Sequence, residues 1–277
     1  MHILKGYTKQ EISWMMYDWA NSAHSVIIVT LLPIFFDTVA GYTADSVSSM
    51  STWGYATSIA MLIVALAAPF LGVFGDIRGM RKKLFSFFML LGVAACAGMA
   101  FTPGMDFTSG PVAAGKVASL ILVLYIVSVI GFDASAIYYD AFLTDVTTED
   151  RMDKVSTMGY GLGYIGGSTI PLLIFLIMNL VGVPMLTCLA FVFGLTAVWW
   201  LAFSLPLLKN CEQTSGKPYE KGDVARSIKG VGTTIKEIIA NKPMLIYILS
   251  YFFYIDGVHT VISMATTYGT NLGLDST

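Results

Sequence analysis

Charge is what this chain has least of. Of its 277 residues, 12% are Asp, Glu, Lys or Arg, roughly half the ~25% usual in soluble domains. The shortage is concentrated in four long apolar stretches, near residues 53–75, 84–103, 159–181 and 184–207, which hold no charged residue at all. Cysteine is also scarce. Cys96 and Cys188 fall inside apolar stretches and Cys211 outside them, which excludes a disulfide framework and fits small core residues and a free thiol. There is no His-Glu-x-x-His zinc motif and no recognisable intramembrane protease pair, so neither enzymatic activity nor a metal or cofactor is expected, and no nucleic-acid partner. The first apolar stretch is too long for the core of a cleaved leader and lacks a small-x-small exit, so it reads as an uncleaved first helix.

What the chain has in excess is apolar length. Hydrophobic residues make up 56% of it, and the mean hydropathy is +0.71. A helix needs about 20 apolar residues to cross a bilayer. Seven windows meet that length, near 13–38, 53–75, 84–103, 117–141, 159–181, 184–207 and 243–266. The basic residues alternate with them. Fifteen of the sixteen Lys and Arg lie before span 1 or in the connections after spans 2, 4 and 6, and only Lys116 lies on the other side. The positive-inside rule therefore puts the N-terminus and the even-numbered connections in the cytoplasm. A missed or invented span would scramble that alternation.

Against this background the interior charges stand out. They fall in spans 1, 4 and 7 alone, as Asp18, Asp133 with Asp140, and Asp256. A carboxylate in hydrocarbon costs about 3 kcal/mol or more, so it faces a cavity, a partner or a pathway. A polar residue on every third span marks the helices that surround something polar.

Three regions are expected: six spans over residues 1–207, a basic cytoplasmic connection over 208–242, and a seventh span within 243–277. In the connection, Val224, Ile228, Val231, Ile235 and Ile238 recur at intervals of four and three, the apolar face of an interfacial helix with Arg226, Lys229 and Lys236 available to phosphate headgroups. Gly230 and Gly232 weaken that helix, and a solvated, partly helical linker is the alternative. Six spans, a long basic loop and one more span suggest a protein of two six-helix halves, of which this is one half plus the first helix of the next. A complete seven-helix protein is the other reading.

The connection between spans 2 and 3 reads Gly72-Val-Phe-Gly-Asp76-Ile-Arg78-Gly79-Met-Arg81-Lys82-Lys83. Gly72 permits close helix contact, Asp76 can pair with a basic side chain or accept from a helix N-terminus, and Gly79 permits a tight turn. This segment resembles the signature of the major facilitator superfamily, with Gly72, Asp76, Gly79 and Arg81 on matching positions, and departs from it at Ile77 and Met80. Four further segments narrow the resemblance. They are Tyr17-Asp18-Trp19-Ala20-Asn21-Ser22-Ala23, Tyr139-Asp140-Ala141-Phe142-Leu143, Gly159 to Gly167, and Tyr254-Ile255-Asp256-Gly257-Val258. Together they look like the branch related to the autophagy-linked vacuolar amino-acid effluxers of fungi and their uncharacterised bacterial relatives. Departures are His24, Asp140 and Thr144. The resemblance implies a helical bundle of inverted three-helix repeats in which spans 1, 4 and 7 line a central cavity. It also implies a helix 5 that slides against a helix of the second half.

Depth divides the candidates. Asp18 and Asp140 fall in the cytoplasmic third of their spans and, with Gly72, Asp76, Gly79 and Arg81, are candidates for a cytoplasmic gate or for helix-end hydrogen bonding. Asp133, Asp256, His24 and His259, with Asn21, are candidates for a substrate or ion cavity. Asp133 and Asp140 are seven apart and Asp256 and His259 three apart, so each pair shares a helix face. A carboxylate beside an imidazole can exchange a proton, while a lone His can equally satisfy a neighbouring helix. Gly159, Gly163 and Gly167 form a small-xxx-small packing stripe. Trp53, Tyr55, Trp199 and Trp200 suit an interface belt or packing.

The function expected is secondary active transport of a small polar solute by alternating access, with amino acids and proton coupling suggested by the resemblance; a channel or a non-transporting receptor is the alternative. A retinal photosensor is excluded because no Lys follows Lys242. Membrane lipid, the solute, protons and a C-terminal half are the expected partners. A bacterial inner membrane is expected, or a vacuolar or plasma membrane in a eukaryote.

Overall fold

The computed structural model describes residues 4–43, 48–218 and 223–272. Each of the seven expected windows falls on a helix long and apolar enough to cross a membrane. These are α1 (Lys9–Ala40), α2 (Ser49–Gly75), α3 (Arg81–Met99), α4 (Pro111–Val146), a compound fifth span, α7 (Met185–Asn210) and α9 (Lys242–Asn271). The fifth span is α5 (Met152–Leu162), a π-helical segment Gly163–Ser168, and α6 (Thr169–Leu180). Helix α8 (Asp223–Ala240) lies between α7 and α9. The chain is an all-α, multi-pass integral membrane protein.

Helices α1 and α4 extend beyond their apolar windows. Helix α1 starts at a reciprocal cap: Thr8 Oγ1 accepts from Glu11 N (3.1 Å) and Glu11 Oε2 accepts from Thr8 N (2.7 Å). Helix α4, 36 residues long, begins with Pro111 at its first turn, where a missing N–H is harmless.

Helix α1 is the hub. It packs on α4, on the fifth span and on α7, and α3 fills the space between α4 and α7. Close approach decides two of these contacts. A Cβ on Gly131 of α4 would stand 2.5 Å from Gly92 N of α3, and a Cβ on Gly92 would enter the Trp200 ring of α7. The stripe on the fifth span meets α1. A Cβ on Gly159 would lie 2.5 Å from Asp18 Oδ2, and one on Gly163 would lie 2.6 Å from Ser22 Oγ; Gly166 and Gly167 press on Trp19. Gly166 and Gly167, having no side chains, make room for Trp19, whose indole lies against the π-helical turn, a backbone form that occurs mostly as single turns within α-helices.

A Cβ on Gly72 would meet nothing within 4 Å among the described residues. Of the belt and packing readings for Trp53 and Trp200, the structure shows packing, since both are fully buried in the core.

Helix α9 stands apart. None of its apolar window is buried, against 56% of that of α1, and it touches α1, α2 and α8. On α8, Val231 and Ile238 of the expected apolar face are half-buried, Ile235 of the same face is exposed, and Lys229 and Lys236 are exposed. Lys221 and the side chains of Val224, Arg226 and Ile228 lie outside the described residues, as does the tail 273–277.

Candidate functional site

The end of the bundle that carries the basic residues is held by two ion-pair clusters. The first is centred on Arg81, at the start of α3. Its Nη1 donates to Asp145 Oδ2, to Ala141 O (3.0 Å) and to Ser215 Oγ (3.1 Å). Asp76 is 4.0 Å from Nη2 and its side chain is 84% exposed, whereas that of Asp145 is fully enclosed. The acid that neutralises Arg81 is thus Asp145 of α4, and Asp76 of the signature lies at the rim. Gly79 takes φ +80°, the left-handed conformation of the turn between α2 and α3.

The second cluster joins α1 to the α4–α5 connection. Arg151 donates to Glu11 through Nε (2.8 Å) and Nη2 (2.8 Å), Thr147 Oγ1 donates to Glu11 Oε1 (2.7 Å), and Arg151 Nη2 also reaches Gly6 O (2.9 Å). Such a two-pronged guanidinium–carboxylate contact fixes geometry as well as charge.

Further in, α1 and α4 share a ladder of buried polar groups. Tyr139 Oη donates to Asp18 Oδ2 (2.7 Å), its ring stacks on Trp14 (centroids 4.3 Å apart), and Trp14 Nε1 donates back to Tyr139 O (2.9 Å). Tyr17 Oη and Ser135 Oγ are 2.7 Å apart, and Asn21 approaches the same phenol. Asp140 is exposed. Asp133 has one buried oxygen, Oδ2, with no hydrogen-bond partner among the described residues. His24 is buried between Phe132 (4.8 Å, stacked) and Trp200 (5.1 Å), and neither ring nitrogen has a partner among the described residues.

The midplane candidates of α9 lie elsewhere. Asp256 and His259 line a cleft of about 570 Å³ between α9 and α2, with Ser51, Tyr55, Thr57 and Thr260. Thr57 reaches Tyr125 Oη of α4 (3.1 Å), so the cleft wall is tied to α4. The structure therefore divides the expected cavity residues. Asp256 and His259 share an open cleft; Asn21 and His24 of α1 sit at its contact with α4, His24 closed off in aromatic packing, and Asp133 is a half-buried residue of α4. Asp37, near the other end of α1, is a further acid within the first span. It accepts from Ser49 Oγ at the start of α2.

Asp145 and the Glu11–Arg151 pair carry much of this geometry and were not singled out from sequence. The Thr8-x-x-Glu11 cap is legible in the chain. The pairing of Arg81 with a residue 64 positions away has no local signal.

The model of the vacuole effluxer Atg22-like family matches residues 40–151 and 144–276. The chain is 40% identical over 282 residues to the uncharacterized MFS-type transporter YxiO of Bacillus subtilis, covering 99% of this chain and 63% of that protein. It is 26% identical over 131 residues to autophagy-related protein 22-1 of Sclerotinia sclerotiorum, and 26% over 125 residues to that of Penicillium rubens, in each case 42% of this chain. It thus spans less than two thirds of YxiO and about a fifth of each fungal relative. With the signature turn, the seven spans and a family match that runs from residue 40 to residue 276, the chain belongs to the Atg22-like vacuole effluxer family, a branch of the major facilitator superfamily.

Proposed function

We propose that this protein is a secondary active transporter that moves a small polar solute by alternating access around the α2–α9 cleft. The observation that carries the reading is the cleft itself. Asp256 and His259 face hydroxyl and phenol groups of α2 across about 570 Å³, a volume in the range of small-molecule sites. An intramembrane carboxylate is retained where it serves a pathway. Asp256 and His259 contact the solute or its coupling ion, and Asp133, with its unpartnered oxygen, belongs to the same polar route on α4. Amino acids are the solute class suggested by the family, and a proton is the coupling ion that a carboxylate and an imidazole at i and i+3 suit.

Gating falls to the basic end, which faces the cytoplasm on the positive-inside rule. Arg81 with Asp145, and Asp18 with Tyr139, hold α1, α3 and α4 together there, and Asp140 stands exposed beside them. Residues 1–207 form one six-span unit, 208–242 its connection, and α9 the first helix of a second unit.

The test is transport in proteoliposomes under an imposed proton gradient, screened across amino acids and related metabolites. Asp256→Asn and Asp133→Asn are expected to abolish transport while leaving membrane insertion and yield unchanged. Wild-type transport by both variants overturns the assignment.

A further inference from the structure

Helix α3 lacks a cap of its own. Met80, at its N-cap position, makes no side-chain hydrogen bond, yet an N-terminus leaves its first N–H groups without helical partners. The partner comes from 130 residues away. Gln213 Oε1 accepts from Gly79 N (2.9 Å) and Arg81 N (3.2 Å), while its Nε2 donates to Gly75 O (3.0 Å), the last residue of α2. A single side-chain amide therefore closes the C-terminus of one helix and the N-terminus of the next. Its two ends cannot be exchanged, because N–H groups face the oxygen and a carbonyl faces the nitrogen.

Gln213 belongs to a short segment that crosses this end of the bundle. Thr214 N, Thr214 Oγ1 and Ser215 N all donate to Asp145 Oδ1 (3.1, 2.9 and 2.8 Å). Arg78 N donates to Lys217 O (3.0 Å), and Lys217 N to Asp76 O (3.2 Å). Gly216, at φ +107°, lets the segment approach: a Cβ there would stand 2.7 Å from Asp76 O. Cys211 is fully buried at the near end, its Sγ 3.6 Å from Gln10 O.

We propose that Gln213 is a positioning residue for the signature turn: by capping α2 and α3 together it sets the backbone of Arg81 so that the guanidinium reaches Asp145 and Ser215, and residues 211–217 and Arg81 seat as one unit. The consequence for transport rests on the gate reading of Arg81; the seating itself is measurable without transport.

Cys211 is a built-in reporter. Burial pushes its thiol up to about 12, so the reactive thiolate is scarce while the segment is seated. In membranes holding the intact protein, alkylation by N-ethylmaleimide is followed at each cysteine by mass spectrometry. Gln213→Leu and Gly216→Val are expected to speed Cys211 alkylation about tenfold or more, as loss of several hydrogen bonds shifts a local opening equilibrium, with Cys96 and Cys188 still protected. Gln213→Glu keeps the acceptor for both N–H groups but sets a carboxylate oxygen against Gly75 O, and is expected to label at a rate between those of the native protein and Gln213→Leu. Arg81→Gln combined with Gln213→Leu is expected to label no faster than the faster single variant. Unchanged Cys211 labelling in Gln213→Leu overturns the proposal, as does multiplication of the two single effects. Equal labelling of all three cysteines reports general unfolding and overturns it too. Intact seating effects in a protein that transports normally leave the positioning role standing and refute the gate reading alone.

Discussion

Asp145 accepts four donors, three from the segment after α7 and one from Arg81. Removing one partner of an enclosed ion pair leaves the other charge uncompensated, at about 3–5 kcal/mol. Asp145→Asn is therefore expected to lower thermal stability in detergent far more than Asp76→Asn, whose exposed carboxylate is worth about 0–1 kcal/mol. Equal melting shifts for the two would refute the assignment of Asp145 as the counter-charge. His24 invites the opposite test. Both its nitrogens are buried between Phe132 and Trp200 without partners among the described residues, and exchanging an unsatisfied polar ring for an apolar one of similar shape is close to neutral or stabilising. His24→Phe is expected to leave the melting temperature unchanged or raised; a marked fall would mean that the imidazole has a polar task. At this scale the sequence showed which residues were unusual but not what they touch. Asp76 and Asp145 are both acids near the basic end, and only the direction in which α4 presents its last turn separates them.

Among the elements, the α3–α4 crossing and the contact of α1 with the fifth span depend on glycine for different reasons. Gly131 admits the backbone of α3, and Gly166 and Gly167 admit the Trp19 side chain and carbonyl of α1. Gly131→Ala is expected to destabilise by about 1–3 kcal/mol through overpacking. Gly115→Ala, on the same helix with nothing within 4 Å, is expected to be neutral or to stabilise by up to about 1 kcal/mol through helix propensity. Thermal unfolding of the pair measures both, and a matching loss at the two sites would discredit the crossing. The every-fourth-residue spacing of the stripe was legible as packing. That its counterpart is α1 was not, because a small-residue stripe specifies closeness and leaves the partner open.

For the whole molecule the decisive contact is that of α9 with α1 and α2. Met264 Cε of α9 would lie 3.7 Å from a Cβ on Gly54 of α2. Cysteines at 54 and 264 in a background lacking the native three are expected to cross-link with a short bifunctional maleimide and to arrest transport when linked. Transport that survives complete cross-linking would place the moving boundary elsewhere. The number of apolar spans in the chain and the choice of spans 1, 4 and 7 as the ones carrying interior acids were determined by the sequence alone. Hydropathy and charge are properties of short consecutive stretches, and a bilayer sorts such stretches by length and composition. The partners of Arg81, the burial of His24 and the double cap by Gln213 were decided only by the tertiary structure. Each is a contact between groups far apart in the chain, brought within hydrogen-bond or packing distance by the angles at which the helices cross, which no local pattern of residues records.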